Sequence, residues 1–127
     1  MLKMIYCVKR RPDIDVDEFY RYWIEEHGPL VKKRAKELKI KKYVQCHTIQ
    51  DTNKMPLNKM FQDSRHSLDA YDGVAELWWD SIDDLMAATA SPDGAEAGQI
   101  LFEDEQNFID SSRSCIFFTE EHTIVGD

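Results

Sequence analysis

The chain has 127 residues, 43% hydrophobic and 31% charged, with only 5 Gly and 4 Pro. That length leaves room for one core, so residues 1–127 are read as a single domain, and the composition excludes a disordered tail or a collagen-like repeat. The 16 Lys and Arg against 24 Asp and Glu give a formal net charge of −8, the wrong sign for a nucleic-acid binder.

No apolar run approaches the roughly 20 residues that span a bilayer. At the N-terminus a short apolar stretch precedes Lys9, Arg10 and Arg11, the reverse of a secretory signal. A cytoplasmic protein with no membrane partner is expected. Cys7, Cys46 and Cys115 are odd in number, far apart and without a CxxC pair. They fit buried free thiols rather than a disulfide framework or a zinc site.

The first element is a strand over Leu2 to Lys9, apolar on both faces and therefore expected at the centre of a sheet. Pro12 and Asp13 turn the chain. Asp15 is an N-cap with Glu18 three residues on, and Ile14 and Phe19 form a hydrophobic staple. The helix that follows carries Phe19, Tyr20, Trp23, His27, Leu30, Val31 and Leu38 in one stripe. Pro29 predicts a break or kink near His27-Gly28-Pro29. The basic run from Lys32 to Lys42 reads as a solvated helix face and the start of a strand.

A second strand is expected over Lys42 to Ile49 and a third over Gly73 to Trp79. The connection between them, Gln50 to Asp72, is long, with Leu57, Met60 and Phe61 suggesting a short helix. Ser81 with Asp84 caps another helix. Ser91-Pro92 stops it and starts one more, running through Ala97, Leu101, Glu105 and Phe108. The last strand spans Arg113 to about Thr123. The order is βαββαβ, an α+β, ferredoxin-like arrangement with a four-stranded antiparallel sheet.

Two helices cover one sheet face only. Ala75, Leu77 and Trp79 are assigned to the helix side. Val74, Glu76 and Trp78 fall on the open side, together with Tyr43, Gln45 and His47 if the strands pair in the usual way. So much exposed aromatic surface predicts a homodimer, with sheets facing across a barrel-like cavity.

Several blocks resemble one known family. They are Val8-Lys9-Arg10-Arg11-Pro12, Phe19, Tyr22-Trp23, His27-Gly28-Pro29-Leu30-Val31 and Tyr43-Val44-Gln45-Cys46-His47. Tyr71-Asp72-Gly73-Val74-Ala75-Glu76-Leu77-Trp78, Asp104-Glu105, Phe108-Ile109-Asp110 and Glu120-Glu121-His122 continue the series. Together they resemble the EthD domain of the dimeric α+β barrel superfamily. The resemblance implies a small enzyme of EthD type, an oxidoreductase, dehydratase or isomerase working without a cofactor. Its substrate would be an apolar cyclic or polyketide-like metabolite, altered by dehydration, isomerisation, decarboxylation or reaction with dioxygen after proton abstraction. The alternative is a non-catalytic protein that holds a hydrophobic metabolite beside an oxygenase.

Four residues are candidates for the chemistry. Glu76, a carboxylate in a central strand, is either functional or a buried ion pair with Arg65 or Lys9. His47 is a proton carrier paired with Glu76, or a core histidine satisfied by Gln45 or a carbonyl. His27 is a second acid/base or a helix cap. Tyr43 would polarise a substrate oxygen. Trp78, Trp23, Tyr6, Gln45 and Arg65 are the substrate-binding candidates, whereas His66 and His122 read as non-catalytic. Neither His27, His47 and Glu76 as a set nor any glycine-rich turn has the local spacing of a metal or nucleotide site, so no metal is expected.

Overall fold

A computed structural model describes all residues, 1–127. Strand β1 (Leu2–Val8) leads through the Asp15 cap, whose carboxylate accepts the Glu18 N–H at 2.8 Å, into helix α1 (Val16–Tyr22). The expected interruption before Pro29 is a local change of winding rather than a gap, and Pro29 lies in the first turn of a second α segment. A π-helical turn, Trp23–His27, carries the helix on into α2 (Gly28–Arg34). Pro29 has no N–H and its ring crowds the preceding turn, so the backbone widens, and the Gly28 N–H reaches the Trp23 carbonyl five residues back.

Strand β2 (Lys42–His47) follows, then α3 (Leu57–Arg65) within the long connection, β3 (Gly73–Trp79), α4 (Ile82–Ala90), α5 (Pro92–Glu105) and β4 (Cys115–Glu120). The Ser81 and Ser91 hydroxyls cap α4 and α5 by accepting the Asp84 and Gly94 N–H groups. The antiparallel sheet has the order β2-β3-β1-β4, so β1 and β3 are central, as expected. The second, first and last strands end earlier than the sequence suggests.

Register decides which residues share a face. Tyr43 pairs with Leu77, Gln45 with Ala75 and His47 with Gly73, while Val44 pairs with Glu76 and Cys46 with Val74. Directly opposed residues point to the same side. Tyr43, Gln45 and His47 therefore lie on the helix side with Ala75 and Leu77. Their assignment to the open face is corrected. Val74, Glu76 and Trp78 are on the open face, as expected.

Two apolar clusters fill the helix side. Val8, Phe19, Trp23, Ala75, Phe108 and Ile109 form one, and Val31, Leu38, Ala97 and Leu101 the other. Gly73 lets Trp23 lie flat on β3: a Cβ there would come within 2.4 Å of the Trp23 ring and 2.7 Å of the Cys46 carbonyl oxygen. The thiols are less buried than expected. Cys7 and Cys46 are partly exposed on the open face, and Cys115, across from Cys7 on β4, is exposed.

Candidate active site

Between the two clusters lies a partly open cavity of about 230 Å³, formed by the helices and the sheet of this one chain. Its walls are almost wholly apolar and include Trp23, Trp79, Leu77 and Leu101, but Tyr6, His27, Tyr43 and Glu105 also face it. The cavity thus lies on the opposite side of the sheet from the one expected between two facing sheets.

The π turn sets His27 facing this space, with only 6% of the residue exposed. Its Nδ1 lies 2.7 Å from Asp104 Oδ2 on α5. The other carboxylate oxygen of Asp104 accepts the Tyr22 hydroxyl at 2.5 Å and the Asn107 amide at 3.3 Å. Burial works against the charge on Asp104, but the hydrogen bonds from Tyr22 and His27 outweigh it and hold the carboxyl below its ordinary range. An ionised carboxylate can only accept, so His27 donates from Nδ1. Burial lowers the His27 pKa further than Asp104 raises it, so the ring is neutral at neutral pH. A neutral imidazole with its proton on Nδ1 presents a basic lone pair at Nε2, and no protein group bonds to Nε2.

Glu105 is the next residue of α5. Burial pushes its pKa up to about 7, against the lowering effect of the nearby Tyr6 phenol and with the Asp104 charge adding to the rise. The Tyr6 phenol is itself raised, first by burial and then by the Glu105 charge. One cavity therefore holds a histidine whose proton affinity is depressed and a carboxyl whose proton affinity is enhanced. Such a divergent pair separates base from acid within one site.

Tyr43 completes the polar group. Its oxygen accepts the Gln45 amide at 2.9 Å. With a donor already on the oxygen, the phenolic proton is free to be donated to a ligand. Burial raises the Tyr43 pKa, so it stays protonated. Gln45 also donates to the Trp23 carbonyl at 2.7 Å, inside the π turn. Gly28 leaves the room, since a Cβ there would lie 3.2 Å from the Gln45 amide nitrogen.

His47 stands apart from the cavity. Its ring is sandwiched between Tyr20 (4.8 Å) and Trp23 (4.7 Å) and meets Gln45 Oε1 at 2.9 Å. The Gln45 amide donates elsewhere, so its oxygen faces His47, which must donate from Nε2. Burial lowers the His47 pKa and keeps it neutral. This is a core histidine satisfied by Gln45.

Glu76 lies on the open face in an ion pair with Lys3, and accepts the Cys46 thiol at 3.0 Å. The Cys46 and Lys3 hydrogen bonds lower its pKa despite partial burial. Its partner is thus neither Arg65 nor Lys9, and a working pair of Glu76 and His47 is excluded by their opposite faces. Trp78, also on the open face, bonds to Glu121 and lies beneath Lys3 and Lys42. Arg65 sits on exposed α3 over Phe61. Neither residue reaches the cavity, whereas Trp23 and Tyr6 line it and Gln45 orders its polar end.

Asp104 and Glu105 were not singled out for a site by sequence reasoning. The available signal was Glu105 on the apolar stripe Ala97, Leu101, Phe108, where a charge has no reason to sit unless it is used or paired. No three His, Cys, Asp or Glu side chains come together as a metal-binding group, and no helix is long and apolar enough to cross a membrane.

The fold and the sequence have known counterparts. An ethyl tert-butyl ether D (EthD) family protein from Bacillus halodurans C-125 superposes with TM-score 0.61 at 16% identity, over 96% of this chain and 99% of that one. A dimeric, ferredoxin-like protein of unknown function from Bacteroides fragilis gives 0.57 at 13% identity, over 94% and 95%. SnoaB, a cofactor-independent oxygenase from Streptomyces nogalater, gives 0.54 at 10% identity, over 99% and 97%. No curated protein sequence matches the chain. Residues 11–112 match the EthD domain, and the chain belongs to the EthD domain family.

Proposed function

We propose that this protein is an enzyme that moves a proton on an apolar cyclic ketone or phenol, using its own side chains. The observation that carries this reading is the His27–Asp104 pair facing an apolar cavity that also holds Glu105 and Tyr43. In the proposed step His27 Nε2 takes a proton from the carbon beside a carbonyl. The C–H electron pair moves into the enolate, whose oxygen receives hydrogen bonds from Tyr43 and protonated Glu105. Return of the proton to a different carbon isomerises the compound, and loss of a β-hydroxyl as water dehydrates it. Reaction of the enolate with dioxygen would oxidise it. The likeness in fold to a cofactor-independent oxygenase is compatible with that last branch.

The same reading includes a homodimer through the open sheet face. Ile5, Val44, Val74 and Phe117 share that face with the Lys3–Glu76 pair, and Phe117 is 44% exposed in the single chain. A similar fold is described as dimeric.

The test is deuterium exchange into β-tetralone, a two-ring ketone with acidic carbon-bound protons, followed by proton NMR in heavy water. The protein should accelerate exchange saturably, and His27→Ala should abolish the acceleration. Saturable binding with no acceleration in the wild type would favour a non-catalytic metabolite-holding protein.

A further inference from the structure

The charge around the cavity is one-sided. No Lys or Arg lines it. Its titratable lining comes from four elements: Tyr6 from β1, His27 from the π turn, Tyr43 from β2 and Glu105 from α5. These groups are neighbours, because all four line the same cavity and the Glu105 charge acts on both Tyr6 and Tyr43. The Asp104 carboxylate stands directly behind His27. The remaining wall, including Leu38, Leu85, Leu101 and Trp79, is apolar except for Thr89. A ligand therefore meets a polar group at one end only, and that end has two carboxyls and no cation. An anion entering there loses its hydration and finds no charge to replace it.

Volume sets a second limit. A cavity of about 150 Å³ holds benzene. The 230 Å³ here accommodates two fused rings with one small substituent, and a third fused ring would have to displace the walls or protrude from the mouth into water.

Resting on the proposed proton-transfer site, we propose that the cavity selects by charge and size. It admits a neutral two-ring compound bearing one hydroxyl or carbonyl, and it turns away the matching carboxylate and the three-ring homologue. Hydrophobicity alone predicts the opposite order for size, since the larger ring system buries more apolar area.

Calorimetric titration of the full chain with α-naphthol, α-naphthoate and phenanthrol at mildly alkaline pH tests this. α-Naphthol should bind saturably, α-naphthoate at least about 30-fold more weakly, and phenanthrol about 10-fold more weakly. Glu105→Gln keeps the shape and removes the acid, so α-naphthoate should gain about 10-fold relative to α-naphthol.

If that variant does not fold, the wild type supplies the same comparison by pH. Between about pH 8.5 and about pH 7, Tyr6 and Tyr43 stay protonated, Asp104 stays ionised and His27, whose pKa lies below the ordinary 6.5, stays mostly neutral. Glu105 takes up its proton near about 7. Binding of α-naphthoate, which remains ionised, should tighten across that window and α-naphthol binding should not. Equal affinity for α-naphthol and α-naphthoate overturns the charge selection, and tighter binding of phenanthrol overturns the size limit. If β-tetralone exchange persists in either case, the proton-transfer site stands and only the selectivity is lost. If none of the three compounds binds and exchange is absent, both readings fall.

Discussion

Asp104→Asn isolates the role given to the His27–Asp104 pair. Two donors, Tyr22 and Asn107, converge on Asp104 Oδ1, while His27 Nδ1 faces Oδ2 at 2.7 Å. An asparagine has one oxygen, which stays with the two donors and leaves its NH2 group facing His27. The imidazole must then accept at Nδ1 and carry its proton on Nε2, the cavity side. A base becomes a donor with almost no change of shape. The expected loss in β-tetralone exchange is about 10²–10⁴-fold, the scale of a positioned acid/base. That corresponds to about 3–5 kcal/mol of barrier. Stability should change much less, because a neutral hydrogen bond replaces a charge-assisted one at a cost of about 1–2 kcal/mol. In a chain of this size that lowers the melting temperature by roughly 3–8 °C. Exchange rate and thermal melt on the same preparation separate the two effects. A folded Asp104→Asn protein exchanging β-tetralone within about threefold of wild type would refute the assignment of the base.

Three further outcomes follow from the same geometry. Glu105 holds its proton up to about 7, above its ordinary 4.5, so its contribution to stability is complete below 4.5 and is lost as pH rises to 7. Glu105→Gln lacks that loss, and chemical denaturation above pH 7 should find it more stable than wild type by at most about 3 kcal/mol. A variant no more stable there would show that Glu105 is not buried as an acid. Gly73→Ala places a methyl against the Trp23 ring and the Cys46 carbonyl, where backbone cannot give way. It should cost about 1–3 kcal/mol in urea melts and weaken α-naphthol binding, because Trp23 walls the cavity. Glu76→Gln removes the open-face partner of Lys3. Light scattering should show a weaker dimer while β-tetralone exchange stays within about threefold of wild type, and a large loss of exchange would return Glu76 to the chemistry.

Local signals in the sequence were sufficient for most of the fold. The Asp15 and Ser81 caps, the Ser91-Pro92 start and the two-sided strand β1 all rest on residues within one turn or one strand. The face of β2 did not. Alternation groups Tyr43, Gln45 and His47 together, but only register says against which residues of β3 they stand. A two-residue hairpin would fix that register, whereas the stretch 48–72 between these strands does not. One step of parity moved His47 and Tyr43 from the side of Glu76 to the side of His27. Pro29 likewise signals that the regular helix cannot continue, but not that a π turn will absorb the strain and set His27 toward the cavity. The pairing of His27 with Asp104 joins residues 77 positions apart and depends on how α5 packs against the π turn. The nature of the Glu76 partner was equally non-local, since Lys3 and Glu76 meet only because β1 and β3 are neighbours.

The most direct measurement is nitrogen-15 NMR of His27 as a function of pH. The account predicts a neutral ring with its proton on Nδ1, titrating below the ordinary 6.5, and an Nε2 resonance that shifts when α-naphthol is added. A proton on Nε2, or an imidazolium persisting above neutral pH, would contradict the claim that His27 is the base of this site.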